Sequence, residues 1–363
     1  MKAGFIGLGL IGGSIAKTIR RVFPDSEIVA YNRTQSVTEQ AVADGVVNVP
    51  VDAVDARIGS CDYIFLCTPV VTMLSYLEEL KPVLKEGAVI TDVGSVKGGI
   101  HKQVQEAGLT HCFIGGHPMA GSEKTGYANA TDRMIENAYY ILTPEEDVDI
   151  HTVSDFSEFI GALGALPIVM SSDQHDYVTA AISHVPHVIS ASLVNMVHDL
   201  DDDARYMKTI AAGGFKDITR ISSSSPQMWE EICLSNPDNI CTVLDEYIRK
   251  LIDFRFVIRN GNEDKLLQYF SDCRDYRDSF DSGKSGPIRK SYRIYLDLAD
   301  EPGAIAEIAT ILSLGGISIK NIGIVHNRDF EQGVLKIEFY DQTALEQGIE
   351  RLEKKSYKIY NGD

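Results

Sequence analysis

Positive charge is scarce in this chain: 34 Lys and Arg stand against 52 Asp and Glu over 363 residues, a formal net charge of -18. That excludes the broad basic face which nucleic acid or an anionic membrane surface requires. Small anionic ligands stay open, because a few local Arg, Lys and His residues set the potential of a pocket. The six cysteines form no Cys-x-x-Cys pair and no Cys/His cluster with metal-ligand spacing, so no metal site is read from them. Several, such as Cys67 in DYIFLC, sit in apolar runs, which predicts buried free thiols in a reducing compartment. Uninterrupted apolar runs near the ~18 residues needed to span a bilayer are also missing. The N-terminal MKAGFIGLGLIGGSIA is too rich in glycine for a signal peptide and leads to no cleavage site. The expectation is a cytoplasmic protein with no membrane partner. What is present, 44% hydrophobic and 24% charged residues, is ordinary globular material of a length for two or three domains.

KAGFIGLGLIGGSIAKTIRR passes from a short strand pattern through Gly7-x-Gly9-x-x-Gly12 into a helical pattern. A lone Gly-x-Gly-x-x-Gly is weak, but its place between a strand and a helix makes it informative. There the glycines, with Leu10 and Ile11, let the backbone approach a pyrophosphate whose charge meets the helix N-terminus. Strand-like runs recur at 27–31, 62–67, 88–93, 112–116 and 138–143, with helical patterns between most of them. This alternation predicts an α/β Rossmann-type domain over residues 1–170, a doubly wound parallel sheet. Thr68 and Pro69 follow one strand and Gly94 another, marking the strand ends where such sheets bind ligands. The second strand ends in Tyr31-Asn32-Arg33-Thr34, with no acid to accept the ribose 2′-hydroxyl of NAD. Asn32, Arg33 and Thr34 suit a 2′-phosphate, which favours NADP; the alternative is an exposed Arg33 with NAD held by backbone groups.

Beyond about residue 171 the strand signals stop, and 171–280 reads as an all-helical domain. Ile240, Val243, Leu244, Tyr247, Ile248, Leu251 and Ile252 make a broad apolar stripe, suited equally to intramolecular core or to a second subunit. SHVPH places His184 and His187 on an apolar helix, where histidines are more often satisfied core residues than ligands. Lys216 and Arg220, at i and i+4 with Asp217 between, share one helix face, either solvated or able to clamp carboxylates. TDVGSVK puts Ser95 just past a strand. GGHPMAGSEKTG sets His117 between glycine and proline ahead of Ser122 and Glu123; alone, such a loop histidine is more often solvated than catalytic.

GLGLIGG, DVGSVK, GGHPMAGSEKTG, SHVPH and GGFKDITRISSSSPQMW occur in this order. Together they closely resemble the prephenate dehydrogenase family (prephenate and arogenate dehydrogenases) over about residues 1–280. The resemblance implies oxidative decarboxylation of prephenate to 4-hydroxyphenylpyruvate, with hydride transfer to NAD or NADP, in tyrosine biosynthesis. It implies that His117 is the catalytic histidine at the ring 4-hydroxyl, that Ser95 orients it, and that Ser122 and Glu123 flank the entrance. His187 and Arg220 match the substrate-binding pair, with Arg220 on a carboxylate. His184, Lys216, Asp217 and Trp229 complete the substrate wall, and the helical domain forms a homodimer. Arogenate, which carries an ammonium group, is the competing substrate. His187 suits the keto acid of prephenate better, and Asp217 or Glu123 argues the other way. A β-hydroxyacid dehydrogenase would need a Lys in a glycine-and-Asn motif absent here. A non-catalytic dinucleotide and amino-acid sensor has no reason to keep His117, Ser95 and Arg220 together.

DSGKSGPIRK (281–290) reads as a linker. Residues 291–363 follow a β-α-β-β-α-β pattern, with Pro302 and Gly303 opening an amphipathic helix. With DEPGAIA and ISIKNIGI they resemble an ACT domain of ferredoxin-like fold. That resemblance implies pairing across subunits and an amino-acid site at Asp300, Pro302, Gly303, Ala304, Asn321 and Ile322. Tyrosine, the pathway product, is the expected inhibitor; a dimerisation module without ligand is the alternative.

Overall fold

Lys2–Ile6 (β1) has every residue after Lys2 buried, as in a strand covered on both faces. Leu10–Val22 (α1), Glu27–Tyr31 (β2), Gln35–Ala43 (α2), Val49–Val51 (β3), Ala56–Gly59 (α3), Tyr63–Leu66 (β4), Met73–Leu80 (α4), Val89–Asp92 (β5) and Gly98–Ala107 (α5) follow. The five strands are all parallel, in the order β3-β2-β1-β4-β5. Strand alternation divides their side chains between two cores. Phe5 stacks on Phe65 at 5.0 Å on one face, while Ile6, Ile64 and Leu66 fill the other. Strand order reverses between β1 and β4, and the crevice past their C-terminal ends is where a ligand fits such a sheet. The computed structural model describes residues 1–122, 124–280, 292–298, 301–325 and 333–361, in two compact units, Met1–Asp253 and Phe254–Asp363. Glu123, the expected linker 281–290 and Asp300 lie outside the described residues.

Ile114–Pro118 (β6), Tyr139–Pro144 (β7), Ile150–Ala162 (α6) and Leu166–Val169 (β8) build a second sheet, β6-β7-β8, joined to β5 by a parallel bridge between Ile90 and Phe113. The all-parallel expectation fails at β7, which runs antiparallel to β6 and parallel to β8. The cause is the connection: between β6 and β7 the described chain makes only a 3-10 turn at Tyr127–Asn129, and without a crossover helix the strand returns beside its predecessor. Gly115 and Gly116 let β6 lie close to its neighbours. A Cβ on Gly116 would sit 2.5 Å from the Asp92 carbonyl, and one on Gly115 2.2 Å from Thr143 Oγ1.

Ser172–Thr179 (α7), a π-helical turn at Ala180–His184 and Val185–Leu200 (α8) form one continuous helix. Pro186 explains the π turn: its ring removes an N–H and crowds the preceding carbonyl, and the wider turn absorbs both. Although no uninterrupted apolar run is long enough, this 29-residue helix is, by length and composition, able to cross a membrane. Its inward face is polar and packed within the protein, with His175, Asp176, Thr179 and His184 buried. Tyr206–Ile210 (α9), Gly213–Thr219 (α10), Pro226–Ser235 (α11), Pro237–Arg259 (α12) and Glu263–Ser279 (α13) follow, and no strand interrupts 172–280. The apolar stripe on α12 is split. Ile240 joins a small core with Ala180 and Val185, with Val243 and Leu244 against it, whereas Ile248, Leu251 and Ile252 stay about half exposed.

In the second unit Phe254 packs on Tyr269 at 4.6 Å. Tyr292–Leu298 (β9), Ala304–Ser313 (α14), Ile319–Val325 (β10), Gly333–Phe339 (β11), Gln342–Glu353 (α15) and Ile359–Asn361 (β12) give the expected β-α-β-β-α-β order. The sheet is antiparallel, ordered β10-β11-β9-β12. Ile294, Leu296 and Leu298 alternate with half-buried neighbours, and with Leu335, Ile337 and Phe339 they meet Ile308, Leu312 and Leu352 of the helices.

Of the cysteines, Cys61 and Cys112 are buried free thiols, which burial pushes up to about 12 and about 11; Cys241 and Cys273 are exposed.

Candidate active site

The crevice at the switch point is built from backbone. Gly7 has a left-handed φ of 97°, and a Cβ there would lie 2.6 Å from the Cys67 carbonyl. A Cβ on Gly12 would lie 2.6 Å from the Gly7 carbonyl, so α1 packs directly on the turn. Gly9, at the α1 N-cap, faces open space, and no side chain caps that helix. Leu10 and Ile11 form its half-buried first turn. The result is a helix N-terminus with room for a phosphate group and no acid nearby in sequence to repel it. An open cavity of about 250 Å³ continues past Thr34, Thr68 and Pro69. Thr68 Oγ1 is buried without a hydrogen-bond partner. These residues fit a dinucleotide.

Two of the residues expected to choose between cofactors behave differently. Arg33 is exposed at the rim of this cavity and makes no salt bridge to a described residue. Asn32 is committed to the protein: its Oδ1 accepts from Leu8 N at 2.9 Å and its Nδ2 donates to the Thr34 carbonyl at 2.9 Å. It holds the glycine turn while lining the same cavity.

Because β6 continues β5 in parallel, His117 emerges at the same C-terminal edge as Gly7 and Thr68. Beneath it, wholly buried Lys97 binds Asp92 and donates to the Gly116 carbonyl at 2.8 Å, while Asp92 Oδ1 accepts from Gly116 N at 3.0 Å. Burial lowers the Lys97 ammonium against the opposing pull of Asp92. His117 itself is half-buried, and burial, then Lys97 and two neighbouring histidines, hold it well below the ordinary histidine range. It is a neutral base at neutral pH. Its Nδ1 lies 2.7 Å from His175 Nε2, and Ser95, half-buried in the β5–α5 turn, makes no hydrogen bond to it. The hydrogen-bond partner of the His117 ring among the described residues is thus a histidine.

His175, Asp176 and Asn236, none of them in a predicted motif, tie the rest together. Asn236 Nδ2 donates to the Asp176 carbonyl at 2.8 Å and lies 3.4 Å from His184 Nδ1. His184 is a buried core histidine meeting Trp229 edge-on. His187 stacks on Trp229 with centroids 3.9 Å apart, and its Nδ1 donates to the Ser183 carbonyl at 2.8 Å. The indole Nε1 of Trp229 is buried without a partner. Lys216, Asp217 and Arg220 are exposed, and Lys216 and Arg220 do not share a helix, since α10 stops at Thr219 and Arg220 begins a 3-10 turn. Ser122 is exposed and its Oγ accepts from Lys124 N at 3.3 Å. Polar residues at i, i+3 and i+4 spacing on an apolar helix (175, 176, 179, 183, 184, 187) were the available sequence signal for the missed pair.

His184 carries a pH consequence. Burial lowers it to about 4 from an unfolded value near 6.5, so between these values the unfolded chain binds the extra proton. Stability is therefore full above about pH 6.5 and falls by roughly 2–3 kcal/mol as pH drops toward 4. Thermal melts of His184→Gln should decline less than wild type across that window; parallel curves would contradict this.

The chain matches the family model "Prephenate dehydrogenase, nucleotide-binding domain" over residues 15–169 and "Prephenate dehydrogenase, dimerization domain" over 171–272. It is 38% identical to the prephenate dehydrogenase of Bacillus subtilis (strain 168), across 98% of this chain and 97% of that one. Among solved structures it is similar to prephenate dehydrogenase from A. aeolicus in complex with hydroxyphenyl propionate and NAD+, with 30% identity, TM-score 0.71, and coverage of 77% of this chain and 98% of that one. Synechocystis arogenate dehydrogenase matches with 30% identity and TM-score 0.71, over 77% of this chain and 100% of that one.

Proposed function

This chain belongs to the prephenate dehydrogenase family and is an oxidoreductase of that type, and we propose that it converts prephenate to 4-hydroxyphenylpyruvate and carbon dioxide in tyrosine biosynthesis. The observation that carries this is His117: a neutral imidazole whose Nε2 has no partner among the described residues, at the sheet edge that holds the glycine turn. A nicotinamide dinucleotide, when bound over Gly7, Gly9 and Gly12, supplies the hydride acceptor. His117 takes the proton of the ring hydroxyl as that carbon loses its hydride, and aromatisation expels the ring carboxylate. His187 and Trp229 form the wall for the keto-acid side chain. Arg220, exposed in the isolated chain, reaches a substrate carboxylate. Ser95, Ser122, Lys216 and Asp217 line the approach, and Glu123 is kept as a substrate-site residue on the strength of its motif alone. Arg220→Ala should raise the KM for prephenate on the order of tenfold or more with a smaller change in kcat; an unchanged KM removes it from this role.

The division at about 170 and 280, with 281–290 as linker, is retained as the organisation that suits these roles. Ile248, Leu251 and Ile252, exposed on α12, support a homodimer through the helical domain. The antiparallel β-α-β-β-α-β module supports an ACT assignment, and the B. subtilis relative extends over it. Gly303 opens α14 with φ 96°, Pro302 is exposed and Ala304 half-buried beside it, and Asn321 and Ile322 lie on edge strand β10. We place tyrosine there as inhibitor and the protein in the cytoplasm. Arogenate is the second reading for the substrate, because the arogenate dehydrogenase is as similar in fold.

One assay tests these points: reduced-nicotinamide absorbance with prephenate or arogenate, NAD or NADP, with and without tyrosine. Turnover of prephenate is expected, inhibited by tyrosine. Turnover of arogenate alone corrects the substrate, and silence with both overturns the enzyme reading in favour of a sensor. Exposed Arg33 still favours NADP, so Arg33→Ala should raise the KM for NADP about tenfold and leave NAD unchanged; equal effects refute that preference.

A further inference from the structure

The contact that His117 makes inside the protein leads to two residues outside every motif. Its Nδ1 lies 2.7 Å from His175 Nε2, the two rings 5.0 Å apart and inclined at 66°. His175 is wholly buried, and its Nδ1 lies 2.7 Å from Asp176 Oδ1. Asp176 also accepts from Lys97 N and Gly98 N, each at 2.8 Å, at the start of α5. Burial alone would raise this carboxyl, but the bonds from His175 and the two backbone groups hold it below its ordinary value. It is a carboxylate with its acceptors occupied.

With His175 neutral, the direction of every bond follows. A carboxylate only accepts, so His175 Nδ1 donates to it. A singly protonated His175 then offers a bare Nε2, and His117 must donate its own Nδ1–H to that nitrogen. The lone pair of His117 is left on Nε2. Lys97 is no competitor for these groups, because its ammonium is taken by Asp92 and the Gly116 carbonyl. Nor is His184, which reaches the trio only through Asn236. An apolar residue at 175 would fill the same volume without burying an imidazole that needs two hydrogen-bond partners.

We propose that His175, braced by Asp176, is a positioning residue that fixes His117 as the Nδ1–H tautomer with Nε2 as the base toward the substrate hydroxyl. This rests on the reading of His117 as the base. When the hydroxyl O–H bond breaks and an Nε2–H bond forms, the new imidazolium is held at Nδ1 by His175 and, behind it, by the Asp176 carboxylate. No proton has to leave the three residues, and the ring cannot flip to the wrong tautomer.

The test is steady-state kinetics of His175→Asn and His175→Ala beside His117→Asn, all in the full chain. His175→Asn is expected to lower kcat on the order of 10²-fold with KM for prephenate and cofactor changed less than about threefold. Added imidazole should restore part of kcat in His175→Ala. A folded His175→Asn with wild-type kcat, or one that changes only KM, overturns the proposal. An active His117→Asn instead overturns the premise, which separates the two failures. Should the His175 variants not fold, the wild-type protein labelled with 15N-histidine decides: His117, assigned by its absence in His117→Asn, should carry its proton on Nδ1, and a proton on Nε2 in the free enzyme overturns the proposal.

Discussion

His117→Asn should reduce kcat by about 10³-fold or more while the protein still binds its cofactor and prephenate. Asparagine keeps a polar group on β6 and has no basic nitrogen, so the variant removes proton transfer and little else. Fold should survive, because His117 is half-buried and the close packing of β6 is made by Gly115 and Gly116. The measurement is reduced-nicotinamide absorbance under saturating substrate, with fluorescence titration of the cofactor as the binding control. Turnover near wild type would remove His117 from the chemistry. Loss of cofactor binding in step with turnover would make its role structural.

Lys97→Met should be the most destabilising single change in the nucleotide-binding sheet. Lys97 and Asp92 are both wholly buried, and removing the ammonium leaves the carboxylate with only the backbone N–H groups of Gly94 and Gly116. Breaking one side of such a pair costs about 3–5 kcal/mol. For a unit of this size that lowers Tm by roughly 10 °C. Activity should fall too, since Lys97 anchors the carbonyl of the residue before His117. The double change Lys97→Met with Asp92→Asn should recover part of the stability, because no charge is then left unpaired. A single variant that melts within a degree or two of wild type would refute the pairing as a stabilising element.

Much of the first sheet was legible because its strands are short apolar runs and its helices carry regular apolar spacing. The β1–α1 glycines, the strand ends at Thr68 and Gly94, and the helical stretch after 171 all follow from local pattern. The direction of β7 was not legible, because it depends on whether a helix fills the connection from β6. The end of the helix that carries Lys216 was not legible for a related reason: spacing predicts a shared face only if the helix continues, and α10 passes into a 3-10 turn at Arg220. The bonds Asn32 makes within the protein were not legible either, since its type fits a ribose phosphate as well as it fits the backbone of Leu8.

The sequence by itself determined the element types, the glycine cradle and the family, because these depend on neighbours within a few residues or on motifs in a fixed order. Only the tertiary structure decided what orients His117. Positions 117 and 175 are joined by a hydrogen bond between residues on β6 and α7, and no local pattern encodes which nitrogen of one ring meets the other. The same holds for Lys97 with Asp92 and for Asn236 with Asp176: buried polar groups must find partners, but the fold chooses which ones.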